Sequence, residues 1–115
     1  MNIFKKLTVA AAASALALLA IPASADTRIA LVVKSLGNGF FDAAAKGADE
    51  AADEIGGIEV IYTGPTAATA EGQIEIVNAL IAQRVDAIAI SANDPDALVP
   101  VLVKIPDHVP LLSFI

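Results

Sequence analysis

Residues Leu31 to Phe41 read "LVVKSLGNGFF" and bring an ammonium group, a carboxamide and two aromatic rings into one short stretch. Lys34 offers a cationic donor. Asn38 carries donor and acceptor on a single amide. Phe40 and Phe41 offer apolar faces. A polyol presents hydroxyls for hydrogen bonding and C–H patches for an aromatic ring, so this set of groups suits a sugar. Each residue also has a structural reading. Lys34 can extend its stem along a strand end with its charge in water. A phenylalanine at helical spacing can belong to the core. Asn38, between Gly37 and Gly39, can serve as a turn residue that tolerates positive φ.

Other chemistries fit less well. Gly37-x-Gly39 has the spacing of the first two glycines of a dinucleotide fingerprint, but the third falls on Asp42, and no acid ends the second apolar run to meet a ribose. A phospho-accepting site would need acids where the strands end, and those ends carry Lys34 and Ser91. There is no GxSxG, no Ser-His-Asp or Cys-His arrangement, no cysteine and a single histidine, His108. Catalysis, a disulfide framework and a Cys- or His-rich metal site therefore find no support in the sequence, and no cofactor is expected.

The elements that must position these residues follow from hydrophobic period. "RIALVVK", Arg28 to Lys34, is a near-continuous apolar run suited to a strand buried on both faces. From Phe40 to Ile55 the period becomes helical. Phe40, Phe41, Ala44, Ala45, Ala48, Ala51, Ala52 and Ile55 are expected inward, with Asp42 and Lys46 paired one turn apart. Gly56-Gly57 should stop this helix. "IEVIYT", Ile58 to Thr63, reads as a second strand. Thr69 is the expected cap of a helix over Ala70 to Gln83, with Ile74, Val77, Leu80 and Ile81 inward. A third strand is expected over Val85 to Ser91, a turn at "ANDP", and a short helix capped by Asp96 and running to about Lys104. "VPLLSFI", Val109 to Ile115, is the fourth strand. The order βαβαβαβ predicts an α/β fold with a doubly wound parallel sheet and right-handed crossovers. Ligands of such sheets bind beyond the carboxyl ends of the strands. Those ends are Lys34 to Phe41, Thr63-Gly64 and Ser91 to Asp94.

The start of the chain is of another kind. Lys5 and Lys6 precede the uncharged apolar run Leu7 to Ile21, followed by Pro22 and Ala23-Ser24-Ala25. This is the pattern of a secretory signal peptide cut after Ala25. The run is 15 residues long, short of the roughly 20 that span a bilayer. Residues 1–25 are thus set apart from a 90-residue domain, 26–115. All 13 acids but only five of the seven basic residues lie in that domain, a net charge of −8. So acidic a surface disfavours nucleic acid and anionic membrane as partners.

Four segments, "VVKSLGNGFF", "AKGADEAA", "YTGPTAATAEGQIEIVNALIAQ" and "VDAIAISANDPDAL", together carry a family resemblance. From Thr27 to about Lys104 the chain resembles the N-terminal lobe of periplasmic sugar-binding proteins of ABC importers, the ribose-binding-like type I fold. Within that fold it is most similar to the branch that binds rhamnose or autoinducer-2. The resemblance implies a sugar ligand held by Lys34, Asn38, Phe40 and Phe41, with Asn93 in the "SAND" turn as a further contact. Asn93 has an equal reading as an Asx-turn residue. An ABC permease in the inner membrane is the implied partner and the periplasm the implied location.

The departures from the family pattern matter as well. The family usually reads N-P-F-F where this chain has Gly39 after Asn38, and glycine where it has Arg84. Arg84 should then carry a Cβ in a left-handed helix-end position, at a cost of about 1 kcal/mol. Ile115 stands where the branch has an acidic sugar contact, and Pro106 and Pro110 interrupt the segment before it. The pattern fades after about Lys104, so an incomplete lobe is expected, the truncated or frame-shifted product of a sugar-binding protein gene. Solute capture for transport is the expected role. Presentation of a ligand to a chemoreceptor, or an inert α/β fragment, are the alternatives.

Overall fold

The computed structural model describes residues 26–115. The expected signal peptide lies outside the described residues. Strands β1 (Thr27–Val32), β2 (Ile58–Thr63), β3 (Ala87–Ile90) and β4 (Leu111–Ser113) alternate with helices α1 (Gly39–Ile55), α2 (Ala70–Ala82) and α3 (Pro95–Leu102). The sheet order is β2-β1-β3-β4, and every pair is parallel. The chain steps from β1 to β2 in one direction, then back past β1 to β3 and β4. Right-handed crossovers therefore place α1 on one face and α2 and α3 on the other. This is the doubly wound parallel α/β fold that the element order predicts.

The core lies on the two-helix face. Ala30 and Val32 of β1 and Ile88 and Ile90 of β3 meet Val77, Leu80, Leu98 and Val101 from the helices, all of them buried. Ile74 and Ile81 pack against this cluster from its margin. On the opposite face α1 covers the sheet alone. One helix does not span four strands, and an apolar groove of about 230 Å³ remains between Ile29, Leu31 and Ala89 of the sheet and Ala48 and Ile55 of α1. This corrects the expected inward stripe. Phe41, Ala45 and Ala52 are buried, but Phe40 and Ile55 are 62% and 71% exposed, and Ala51 is exposed too.

Local signals set the element ends. Asn38 caps α1, its side chain accepting from the Phe40 N–H, and Thr69 caps α2 by accepting from the Gly72 N–H. For α3 the cap is Asp94, not the expected Asp96. The Asp94 carboxylate accepts from the Ala97 N–H at 3.1 Å, and Pro95 takes the first helical position. Proline is preorganised for that position and holds the residue before it extended, which makes residue 94 the boundary. The helix ends at Leu102 rather than near Lys104, and β1 closes at Val32 rather than Lys34. Asp42 accepts a hydrogen bond from the Tyr62 hydroxyl at 2.9 Å, a partner that its spacing from Lys46 did not indicate.

At the end of α2 the expected departure from glycine is present as strain. Arg84 has φ of +56°, the one non-glycine residue with positive φ among those described. Its N–H bonds the Ile81 carbonyl, and the Val85 N–H bonds the Leu80 carbonyl. That pair of bonds is the Schellman arrangement, whose turning residue is usually glycine.

Candidate functional site

Three loops meet at the carboxyl edge of the sheet and are bonded to one another. The Leu36 N–H, after β1, donates to the Pro65 carbonyl after β2 at 2.9 Å. Gly64 lies so close to β1 that a Cβ there would stand 2.8 Å from Val33 Cγ2, so only glycine fits that approach. Asn93, after β3, donates from Nδ2 to the Lys34 carbonyl at 2.9 Å and to the Thr69 carbonyl at 3.2 Å. Beneath them lies Gln73, which is 0% exposed. Its Nε2 donates to the Val33 and Ser91 carbonyls at 3.0 and 2.8 Å, and its Oε1 accepts from the Asn93 N–H at 2.8 Å. Two carbonyls on one side and an N–H on the other fix the orientation of this amide. The Ser91 hydroxyl is buried there with no hydrogen-bond partner among the described residues.

The structure gives each expected site residue a definite place. Lys34 is half-buried at the mouth of the β1–α1 loop. Asn38 is exposed, and its Oδ1 accepts from the Phe40 N–H at 2.9 Å. Its Nδ2 has two donors with no role in that cap. In Asn93 the assignment is reversed. Nδ2 holds the loops together, and Oδ1 remains as an acceptor. The two phenylalanines diverge. Phe40 stands out at 62% exposed, while Phe41 is 5% exposed. Phe41 packs edge-on against Phe40 at 5.3 Å and against Phe114 at 6.5 Å between ring centroids. One ring thus supports the other.

Gln73 and Tyr62 did not stand out in the sequence. The signal for Gln73 is its position, one turn before the inward Val77. A polar residue on the buried stripe of a helix must find partners, and backbone ends of strands are what a parallel sheet offers there. Tyr62, the last residue but one of β2, has its hydroxyl on Asp42. Desolvation, with the hydrogen bond to Asp42 and repulsion by that carboxylate, raises Tyr62 above the usual tyrosine pKa.

A larger cavity, of about 500 Å³, opens at the other end of the sheet between Ile81, Arg84, Asp86, Pro106 and His108. It has no phenylalanine, tyrosine or tryptophan ring and no side-chain amide in its lining. The side-chain amides and the exposed phenyl ring that suit a polyol are at the carboxyl edge, where doubly wound sheets bind ligands.

A small-molecule-binding lobe of the α/β type is the class that this sheet and this edge define. More specifically, the chain belongs to the periplasmic binding protein domain family, whose model matches residues 29–114. That family binds solutes and is not one of enzymes. Solved structures agree. An L-rhamnose-bound ABC transporter solute-binding protein from Clostridium phytofermentas is similar at 37% identity and a TM-score of 0.69, over 79% of this chain and 28% of that one. One from Agrobacterium vitis bound to alpha-D-tagatopyranose matches at 32% identity and a TM-score of 0.72, over 76% of this chain and 30% of that one. LsrB from Clostridium saccharobutylicum in complex with AI-2 matches at 29% identity and a TM-score of 0.71, over 75% of this chain and 26% of that one. The chain therefore spans between 26% and 30% of the length of these three structures.

Proposed function

We infer that residues 26–115 form part of the N-terminal lobe of a sugar-binding protein that serves an ABC permease in the inner membrane. The carrying observation is the carboxyl edge itself. Lys34 and Asn38 from one loop, Phe40 from the first turn of α1 and Asn93 from another loop share a rim whose backbone is bonded across all three loops. The free Nδ2 of Asn38 and Oδ1 of Asn93 supply donor and acceptor to sugar hydroxyls, Lys34 adds a charge-assisted donor, and the exposed face of Phe40 takes the C–H side of the ring. Phe41 backs that ring. Residues 1–25 act as the export leader, cleaved after Ala25, and place the protein in the periplasm.

A rhamnose-like or autoinducer-2-like ligand is the favoured class. Its support is the loop sequence together with similarity to proteins bound to L-rhamnose and to AI-2. This edge is one wall of a cleft. Sugar-binding proteins of this kind close two lobes around the ligand, and one wall supplies only part of the contacts. Binding to the edge by itself should accordingly lie near ~1 mM, about 4 kcal/mol.

The test is an NMR titration of the 15N-labelled protein, exported on its own leader, with L-rhamnose and AI-2 in parallel. Amide shifts at Leu36 to Phe41 and at Asn93 that saturate in the millimolar range support the reading. Shifts confined to the Arg84–His108 cavity, or none with either ligand at 50-fold excess over that range, would overturn it.

A further inference from the structure

We propose that Gln73 is a positioning residue for the ligand rim: its buried carboxamide joins the ends of β1 and β3 to the β3–α3 turn and so holds Lys34, Asn38 and Asn93 in place before any ligand arrives. The inference rests on the sugar-binding reading for its purpose, but not for its geometry. Gln73 touches none of the exposed groups of the rim. It acts through backbone, using both donors of Nε2 on Val33 and Ser91 and its Oε1 on Asn93.

The chain of contacts closes into a ring. Asn93, held by Gln73, reaches Lys34 and Thr69. Leu36, two residues beyond Lys34, bonds Pro65. Pro65 rests on Gly72, where a Cβ would meet Pro65 Cβ at 2.7 Å, and Gly72 adjoins Gln73. Each loop at this edge is thereby tied to the other two and to the first turn of α2. Backbone ends of strands are otherwise mobile, and ordering them on binding subtracts from affinity. A ring closed in advance removes that cost.

Side-chain chemistry limits what can replace Gln73. Asparagine is one methylene shorter on the same helix. Glutamate keeps an acceptor for the Asn93 N–H but, when ionised, turns a charge towards two carbonyl oxygens. Methionine keeps the length and volume with no donor. Gln73→Met therefore separates hydrogen bonding from packing, and Val77→Ala, one turn along the same buried stripe, is the control that weakens packing without touching the ring.

The experiment measures 15N order parameters in the ligand-free protein exported on its own leader. In the parent protein, Leu36, Asn38 and Asn93 should give values near about 0.85, as rigid backbone does. In Gln73→Met they should fall to about 0.6 or below, while those of Ala30 and Ile88 hold. Val77→Ala should leave all of them at parent values. In Gln73→Glu, lowering the pH to protonate the carboxyl should restore the order of Asn93, because the protonated form regains a donor. Unchanged rim values in Gln73→Met, or an equal fall in Val77→Ala, would overturn the proposal. If Gln73→Met does not fold, the parent protein decides. The side-chain amide protons of Gln73 should exchange at least about tenfold more slowly than those of exposed Gln83, and equal rates would reject the ring. Titration of the parent with L-rhamnose keeps the two ideas apart. A rigid rim that binds no sugar retains the positioning role and removes the sugar reading. A mobile rim that binds sugar does the reverse.

Discussion

The two ends of this sheet are built from similar materials and do opposite things. At the amino end, Arg28 donates through its guanidinium to the carbonyls of Gln83 and Arg84. Its N–H donates to Asp86 Oδ2 at 2.8 Å, and the Asp86 N–H returns a bond to the Arg28 carbonyl. Charged side chains there are turned inward onto backbone, and the adjoining turn carries a strained Arg84. At the carboxyl end, neutral amides do the joining, and the functional groups left over point outward. The contrast separates two uses of polar side chains in an α/β lobe. Arg28 and Asp86 spend a guanidinium nitrogen and a carboxylate oxygen on backbone groups. Gln73 and Asn93 complete the backbone so that other groups remain available.

The contrast breaks first if Asn93 and Asp86 behave alike. Asn93→Ala removes two neutral hydrogen bonds and should cost about 2 kcal/mol of stability, with sugar affinity down about tenfold. Asp86→Ala removes an exposed bond to Arg28 and should cost about 1 kcal/mol, with sugar affinity unchanged. Urea unfolding and the same NMR titration measure both. Equal losses of affinity would mean that the ends are not functionally distinct. Next, Arg84→Gly should relieve the left-handed turn, and glycine's greater freedom in the unfolded chain offsets part of the gain, leaving stability higher by about 0.5 kcal/mol. No gain in the urea midpoint would show that the turn stores no strain. At the other end, Gly39→Pro is the matching change. Gly39 is the first residue of α1, a Cβ there meets nothing within 4 Å, and Asn38 before it is already extended at φ −96° and ψ 120°. Proline should add about 0.5–1 kcal/mol and stiffen the rim without moving Asn38. A fall in stability would place a needed N–H at residue 39.

Much of this architecture was legible from hydrophobic period and stop signals. The switch from the run at Ile29–Val33 to helical spacing after Asn38, the glycines at 56 and 57, and the cap at Thr69 all have local causes, and the structure keeps them. The strain at Arg84 was also readable, because a Cβ at that place violates a local rule. What local rules did not supply was coverage. The inward stripe of α1 included Phe40 and Ile55 because spacing cannot say how many strands one helix must shield. The cap of α3 was misplaced by two residues because Asp94 and Asp96 flank Pro95 alike, and only the geometry of proline separates them. The carboxyl edge was located by topology alone, yet the side chain that ties its loops, Gln73, was hidden in a helix. Its partners lie 18 to 40 residues away in the chain, and no periodicity carries that information.

The last comparison is between two hydrogen bonds at the rim of the same edge, and pH separates them. Asn38 and Phe40 share a bond between an amide and a backbone N–H, neither of which titrates between pH 4 and 11. Tyr62 and Asp42 share one that does. Partial burial, the bond and the carboxylate's charge all favour neutral Tyr62, so its folded pKa lies above the unfolded value. A raised pKa means that the contribution is complete below the unfolded tyrosine pKa, about 10. It is lost as pH rises through the folded value, because the unfolded chain gives up the proton first. Stability should therefore be flat from pH 7 to 9 with respect to this group and decline above about pH 10. Tyr62→Phe should remove the part of that decline that comes from Tyr62, the only tyrosine in the chain. It should do so at a small uniform cost, since the bond is exposed. Urea midpoints for both proteins at pH 8 and pH 10.5 measure the difference. An equal decline in parent and variant would show that the alkaline loss does not come from Tyr62, and would leave the tie between β2 and α1 without weight in holding the start of α1 against the sheet.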